Sequence, residues 1–151
     1  MGNAVANVLF GDVNPSGKLA SSFPSVSGQC PMYYNHPSTG RPGSNSKFTS
    51  RYLDAPHEAL YPFGYGLSYT TFAYDGLHVE EQSDCLHVNV SVKNTGDRTG
   101  TETVQLYMQD VTASLVRPVK ELRGFAKVEL QPGEEKRVEL TLKKAEMGFY
   151  D

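Results

Sequence analysis

Cysteine occurs only twice in the 151 residues, at Cys30 and Cys85. Two thiols are too few for a disulfide-built scaffold. They could close one bridge, but they fall in different structural units along the chain and read as two unpaired small apolar residues. Charge of one sign is also lacking: 14 Lys and Arg stand against 17 Asp and Glu, a formal net charge of −3. That balance, without a basic stripe, excludes the electrostatic footprint of a nucleic-acid binder. No apolar run approaches the about 18 residues that suit a membrane-spanning helix. No charged-then-apolar leader with a small-residue cleavage site is present. The four histidines, His36, His57, His78 and His87, are scattered singly, without the spacing of a metal centre. No metal and no other cofactor is expected.

What is present is a change of pattern along the chain. Ala4, Val5, Val8 and Leu9 recur on one helical face. Gly11 ends that helix, and Asn14-Pro15-Ser16-Gly17 makes a turn. Residues 18–23 read as a short strand stopped by Pro24. A helix and one strand cannot build a core, so Val5, Val8, Leu9 and Phe10 need a further sheet to cover them. Residues 25–59 are rich in Ser, Pro, Gly and Asn with no sustained period, and irregular stretches beyond about 12–15 residues are functional or disordered.

From residue 72 onward the period becomes two. Leu86, Val88, Val90 and Val92 alternate with His87, Asn89, Ser91 and Lys93, as in a strand with one apolar and one wet face. Val104, Leu106 and Met108 form a second such face, residues 125–130 a third, and Val138, Leu140 and Leu142 a fourth. Asn94 to Gly100 and Gln131-Pro132-Gly133-Glu134 are the turns between them, and residues 144–147 read as one helical turn. With residues 72–80 this makes about five strands, against about seven in an immunoglobulin-like sandwich.

The most telling stretch is LYPFGYGLSYTTF at 60–72, where Tyr61, Phe63, Tyr65 and Tyr69 are interleaved with Pro62, Gly64 and Gly66. Large rings beside glycines read as a packed crossover, because a flexible linker would be small and polar. Together with GNAVANVLFGDVNPSGKLASSFP at 2–24, YNHPSTGRPGSNSKFTSRYLD at 34–54 and VSVKNTGDRTGTETVQLYMQDVTASLVRPVKELRGF at 90–125, it resembles the C-terminal part of family 3 glycoside hydrolases, β-glucosidases and their relatives. The resemblance implies a mainly β chain. Residues 1–68 would be the tail of an α/β-sandwich domain, with its long irregular loop. Residues 69–151 would be an incomplete immunoglobulin or fibronectin type III-like β-sandwich. It also implies a fragment, preceded by a catalytic barrel and most of the α/β sandwich, and lacking two last strands. Their loss would leave the strand at 104–108 with a free edge open to self-association.

The family's nucleophile is an Asp in a Ser-Asp-Trp-like motif, and this chain has no tryptophan. Its Ser83-Asp84 pair precedes a sandwich strand and is no counterpart. The acid/base Glu also lies upstream, so no catalytic residue is carried over and the chain alone is expected to be inactive. Asp12 reads as a turn residue, while Asp54 and Glu58 lie near the aromatic loop. Tyr33, Tyr34, Asn35, His36, Arg41, Arg51, Tyr52 and Asp54 are the candidate substrate-binding residues. Rings there can stack on sugars, while Arg and Asn offer hydrogen bonds to hydroxyls. The bland alternative for Arg51 and Asp54 is a loop-ordering ion pair, and Tyr61, Phe63, Tyr65 and Tyr69 read as glue between domains. Expected partners are the enzyme's upstream domains and β-linked glucosides or oligosaccharides, in the periplasm or outside the cell. A non-catalytic carbohydrate- or protein-binding module is the rival. Asn89-Val90-Ser91 also fits a glycosylation sequon.

Overall fold

The computed structural model describes residues 1–44, 46 and 48–149. Helix α1 (Gly2–Leu9) is followed by a 3-10 turn (Ser27–Gln29) and five strands: β1 (Phe72–Glu81), β2 (Cys85–Asn94), β3 (Gly100–Met108), β4 (Glu121–Leu130) and β5 (Glu135–Lys143). A second 3-10 turn (Lys144–Glu146) comes last. The strands form two sheets, one in the order β1-β2-β5 and one of β3 with β4. The architecture is therefore mainly β, an open sandwich. The chain divides into two compact units, Met1–Gly17 with Leu67–Leu106 and Arg123–Asp151, and Lys18–Gly66 with Tyr107–Leu122.

In the first unit the alternating strands place their apolar faces together. Val88, Val90 and Leu86 of β2 pair across with Leu140, Val138 and Leu142 of β5. Val90, Val92 and Val138 meet Val104 of β3 and Leu130 of β4, with Phe72, Ala126, Val128 and Leu140 packed around them. Val92 and Leu130 have no exposed surface. β-Branched residues suit this pleated, half-buried position.

Three features depart from the sequence pattern. The register of β1 on β2 shifts between Asp75 and His78, where Gly76 takes φ +62° and donates its N–H to Asp75 Oδ1 at 2.7 Å. This is the bulge that an Asp-Gly inside a strand permits. The second departure corrects the wet face expected on β2. Asn89 is only 8% exposed and its Oδ1 has no hydrogen-bond partner among the described residues. β2 is the middle strand, with His78 and Glu139 flanking Asn89 in register, so longer neighbours shield its polar row. Third, residues 18–23 are not a strand. They form a single bridge between Phe23 and Tyr61, because Pro24 and Pro62 offer no N–H to extend the ladder.

Two asparagines tie the turns of this unit. Asn94 is fully buried. Its Oδ1 accepts from Thr70 Oγ1 (2.7 Å) and Gly96 N (3.0 Å), and its Nδ2 donates to Arg98 O (2.7 Å) and Leu130 O (3.0 Å). Asn14 accepts from Ser68 Oγ and Tyr69 N, both at 2.9 Å, and donates to Thr99 O at 3.1 Å. Helix α1 buries none of its residues; its tether is Tyr69, whose hydroxyl donates to Val8 O at 2.6 Å.

Candidate functional site

All eight candidate residues lie in the second unit. Its base is a short pairing of residues 19–23 with 61–65. Leu19 N donates to Tyr65 O and Gly64 N to Leu19 O at 2.8 Å, and Phe23 and Tyr61 exchange bonds of 2.8 and 3.3 Å. Tyr61 and Tyr65 are tilted ring neighbours with centroids 5.1 Å apart.

Tyr34 is committed to packing. It stacks on Phe63 with centroids 3.9 Å apart and planes 11° from parallel, and stands edge-on to Tyr107 at 6.3 Å. Its hydroxyl accepts from Leu122 N at 3.2 Å. Lys120 Nζ lies 5.4 Å from the centre of the Tyr107 ring, close enough for a cation–π attraction. Burial, and then the neighbouring Tyr34, push the Tyr107 phenol above its ordinary pKa. His36 is held by its backbone, its carbonyl accepting from Val119 N at 3.0 Å beside the bridge of Pro37 with Pro118. Its ring Nδ1 sits 3.0 Å from Pro37 O.

The remaining candidates are presented outward. Tyr33 is 64% exposed, and Asn35, Arg41, Arg51, Tyr52 and Asp54 are all on the surface. The Arg41 carbonyl is fixed by Ser50 N at 3.0 Å, and Thr49 Oγ1 accepts from Ser44 N at 3.2 Å. Tyr52 is a tilted neighbour of His57 at 6.5 Å, and a Cβ on Gly43 would lie 2.8 Å from the His57 ring. The ion pair that was the bland alternative for Arg51 and Asp54 is not formed, whereas Arg117 and Glu121 of the same unit pair at 3.1 Å. Both side chains are exposed, where water screens the attraction that would order them.

Asp12, Asp54 and Glu58 are likewise exposed. No group of three or more His, Cys, Asp or Glu among the described residues is placed to hold a metal ion. Both cysteines are free, Cys30 exposed and Cys85 half-buried with its Sγ 3.4 Å from His87 Nε2. Three residues of this unit were not among the candidates: Tyr107, Lys120 and Gln29. For Gln29 a signal existed, since a Gln three positions after a helical-turn cap reaches back to the cap's backbone, as it does here to Val26 N at 3.1 Å.

Residues 1–69 match the glycosyl hydrolase family 3 C-terminal domain, and residues 102–151 match a fibronectin type III-like domain. The chain belongs to the C-terminal region of glycosyl hydrolase family 3. It is 49% identical to a periplasmic β-glucosidase of Salmonella typhimurium over 99% of its own length and 20% of that protein. It is 45% identical to a β-xylosidase of Formosa agariphila over 93% of its length and 20% of that protein. Among solved structures, the β-glucosidase of Listeria innocua in complex with glucose superposes with a TM-score of 0.93 at 48% identity, over 99% of this chain and 22% of that one. This family 3 chain thus spans about a fifth of the length of the curated relatives it matches.

Proposed function

We propose that this chain is the C-terminal accessory part of an enzyme that hydrolyses terminal, non-reducing β-D-glucosyl residues. The observation that carries the reading is the likeness along 99% of the chain to about a fifth of a β-glucosidase, in both sequence and backbone. In this reading residues 1–68 close the α/β-sandwich domain and residues 69–151 form the fibronectin type III-like domain, which stabilises its upstream neighbours. The exposed row Tyr33, Asn35, Arg41, Arg51, Tyr52 and Asp54 borders the sugar, with Tyr34 and His36 holding the row in place. Partners are the upstream domains and β-linked glucosides or oligosaccharides. A periplasmic or extracellular setting fits the Salmonella relative. Self-association along the free margin of β3 belongs to the same reading, since among the described residues β3 pairs with β4 alone; sedimentation at rising concentration checks it, and a constant monomer mass counts against it.

A free-standing sugar-binding module fits less well. It would need a row of exposed rings, whereas β2 and β5 present His87, Ser91, Arg137, Glu139 and Thr141 on their polar rows.

Retaining hydrolysis uses two carboxylates about 5–5.5 Å apart, one as nucleophile and one as acid/base. No residue here matches either of the family's two carboxylates. The pure chain is therefore expected to release no nitrophenol from p-nitrophenyl β-D-glucoside. Turnover above the buffer rate, abolished by Asp54→Asn or Glu58→Gln, would overturn this reading.

A further inference from the structure

Among the described residues of Lys18–Gly66 and Tyr107–Leu122, the one buried residue is an amide, Gln29, at 1% exposure. Its three side-chain hydrogen bonds all go to backbone. Gln29 Oε1 accepts from Ser25 N at 2.6 Å and Val26 N at 3.1 Å, and Gln29 Nε2 donates to Pro56 O at 2.6 Å. Pro56 lies 27 residues further along the chain. Every candidate sugar contact, from Tyr33 to Asp54, falls between these two ends.

An irregular segment of this length has little repetitive backbone pairing of its own. Drawing its ends together costs chain entropy, and something must offset that cost if the side chains between are to face a ligand in one arrangement. A buried amide is suited to the task. Each of its bonds is made away from competing water, and leaving any of the three backbone partners unpaired is costly. Local fixings such as Ser50 N to Arg41 O act only inside the loop; the Gln29 bonds join its beginning to its end.

We propose that Gln29 is the positioning residue of the sugar-facing loop, holding its two ends so that Tyr33, Arg41, Arg51 and Tyr52 are presented together. This rests on the loop's bordering a sugar, as proposed above. Gln29 touches no substrate itself.

The test uses the 151-residue chain with two readouts: amide hydrogen exchange, and NMR titration with millimolar glucose and cellobiose. In Gln29→Ala, exchange at Ser25, Val26 and residues 48–58 is expected to accelerate, and sugar affinity to fall about five- to tenfold, the order of a lost buried hydrogen bond. Exchange in β2 and β5 should stay unchanged. Gln29→Glu separates the two ends. Its carboxylate still accepts from Ser25 and Val26 but has no proton to give Pro56 O, so acceleration should be confined to the 56 side, with an intermediate loss of affinity. Unchanged loop exchange in Gln29→Ala would overturn the clamp. Faster exchange with undiminished sugar affinity would overturn its positioning role while leaving the sugar-facing reading intact. Faster exchange with no sugar binding by the unsubstituted chain would sink the sugar-facing reading and, with it, the positioning role.

Discussion

Replacing Asn94 by leucine is expected to destabilise the sandwich by about 3–5 kcal/mol, because it strands several buried groups at once, each worth about 1–3 kcal/mol when left unpaired. Leucine keeps the branch point and the number of side-chain heavy atoms but is bulkier, so overpacking of this closed site adds to the loss of polar partners. Thr70 Oγ1 and Gly96 N would lose their acceptor, and Arg98 O and Leu130 O their donor. Gly96 packs against Thr70 so closely that a Cβ would meet its hydroxyl and lie 3.0 Å from Thr71 N, leaving little room for water to replace the lost bonds. Urea unfolding should show the midpoint falling with the slope retained. A midpoint within error of the unsubstituted chain would mean that the turn, not the amide, organises this corner. Asn94→Asp adds a pH signature. Its carboxylate would be buried facing two carbonyls, so its folded-state pKa is raised. The variant's stability would then be greatest below the ordinary carboxylate range and be lost as pH rises through the elevated value.

Leu130→Ala is expected to cost about 2–5 kcal/mol, the range for emptying a closed core site. Leu130 has 0% exposure and stands among Val90, Val92, Val104 and Val138, where neighbours from both sheets cannot all collapse into the vacancy. The control is Leu77→Ala on β1, whose side chain is 70% exposed and whose loss should be within about 0.5 kcal/mol of neutral. Equal thermal midpoints for the two variants would refute the assignment of the core. Because Leu130 O also accepts from Asn94, the Asn94 and Leu130 substitutions should combine non-additively.

The strands were legible because their cause is local. The alternation of Leu86, Val88, Val90 and Val92 is the β2 face that the core uses, and the Pro-Gly turn at 132–133 joins β4 to β5 where expected. What the sequence did not disclose depends on distant partners. Asn94 reads as a turn residue, and nothing nearby in the chain announces Thr70 or Leu130 as its partners. Asn89 looks outward by period, yet its place in the middle of a three-stranded sheet covers it. Residues 18–23 have the composition of a strand, but the chain opposite carries Pro62. In the loop, Tyr33 and Tyr34 are adjacent and chemically alike; only the fold distinguishes the exposed ring from the one stacked on Phe63. The alternative of an Arg51–Asp54 pair is absent because spacing alone cannot hold two exposed side chains together in water.

The burial of a single amide at the heart of the loop unit has a calorimetric consequence. Heat capacity rises on unfolding in proportion to the oily surface newly wetted and falls with the polar surface. Opening that unit wets only the half-buried rings of Tyr34, Phe63 and Tyr107 and little else of the former, so it would loosen with a shallower trace than the sandwich. The sandwich, closed on its valines and leucines, would keep the sharp step.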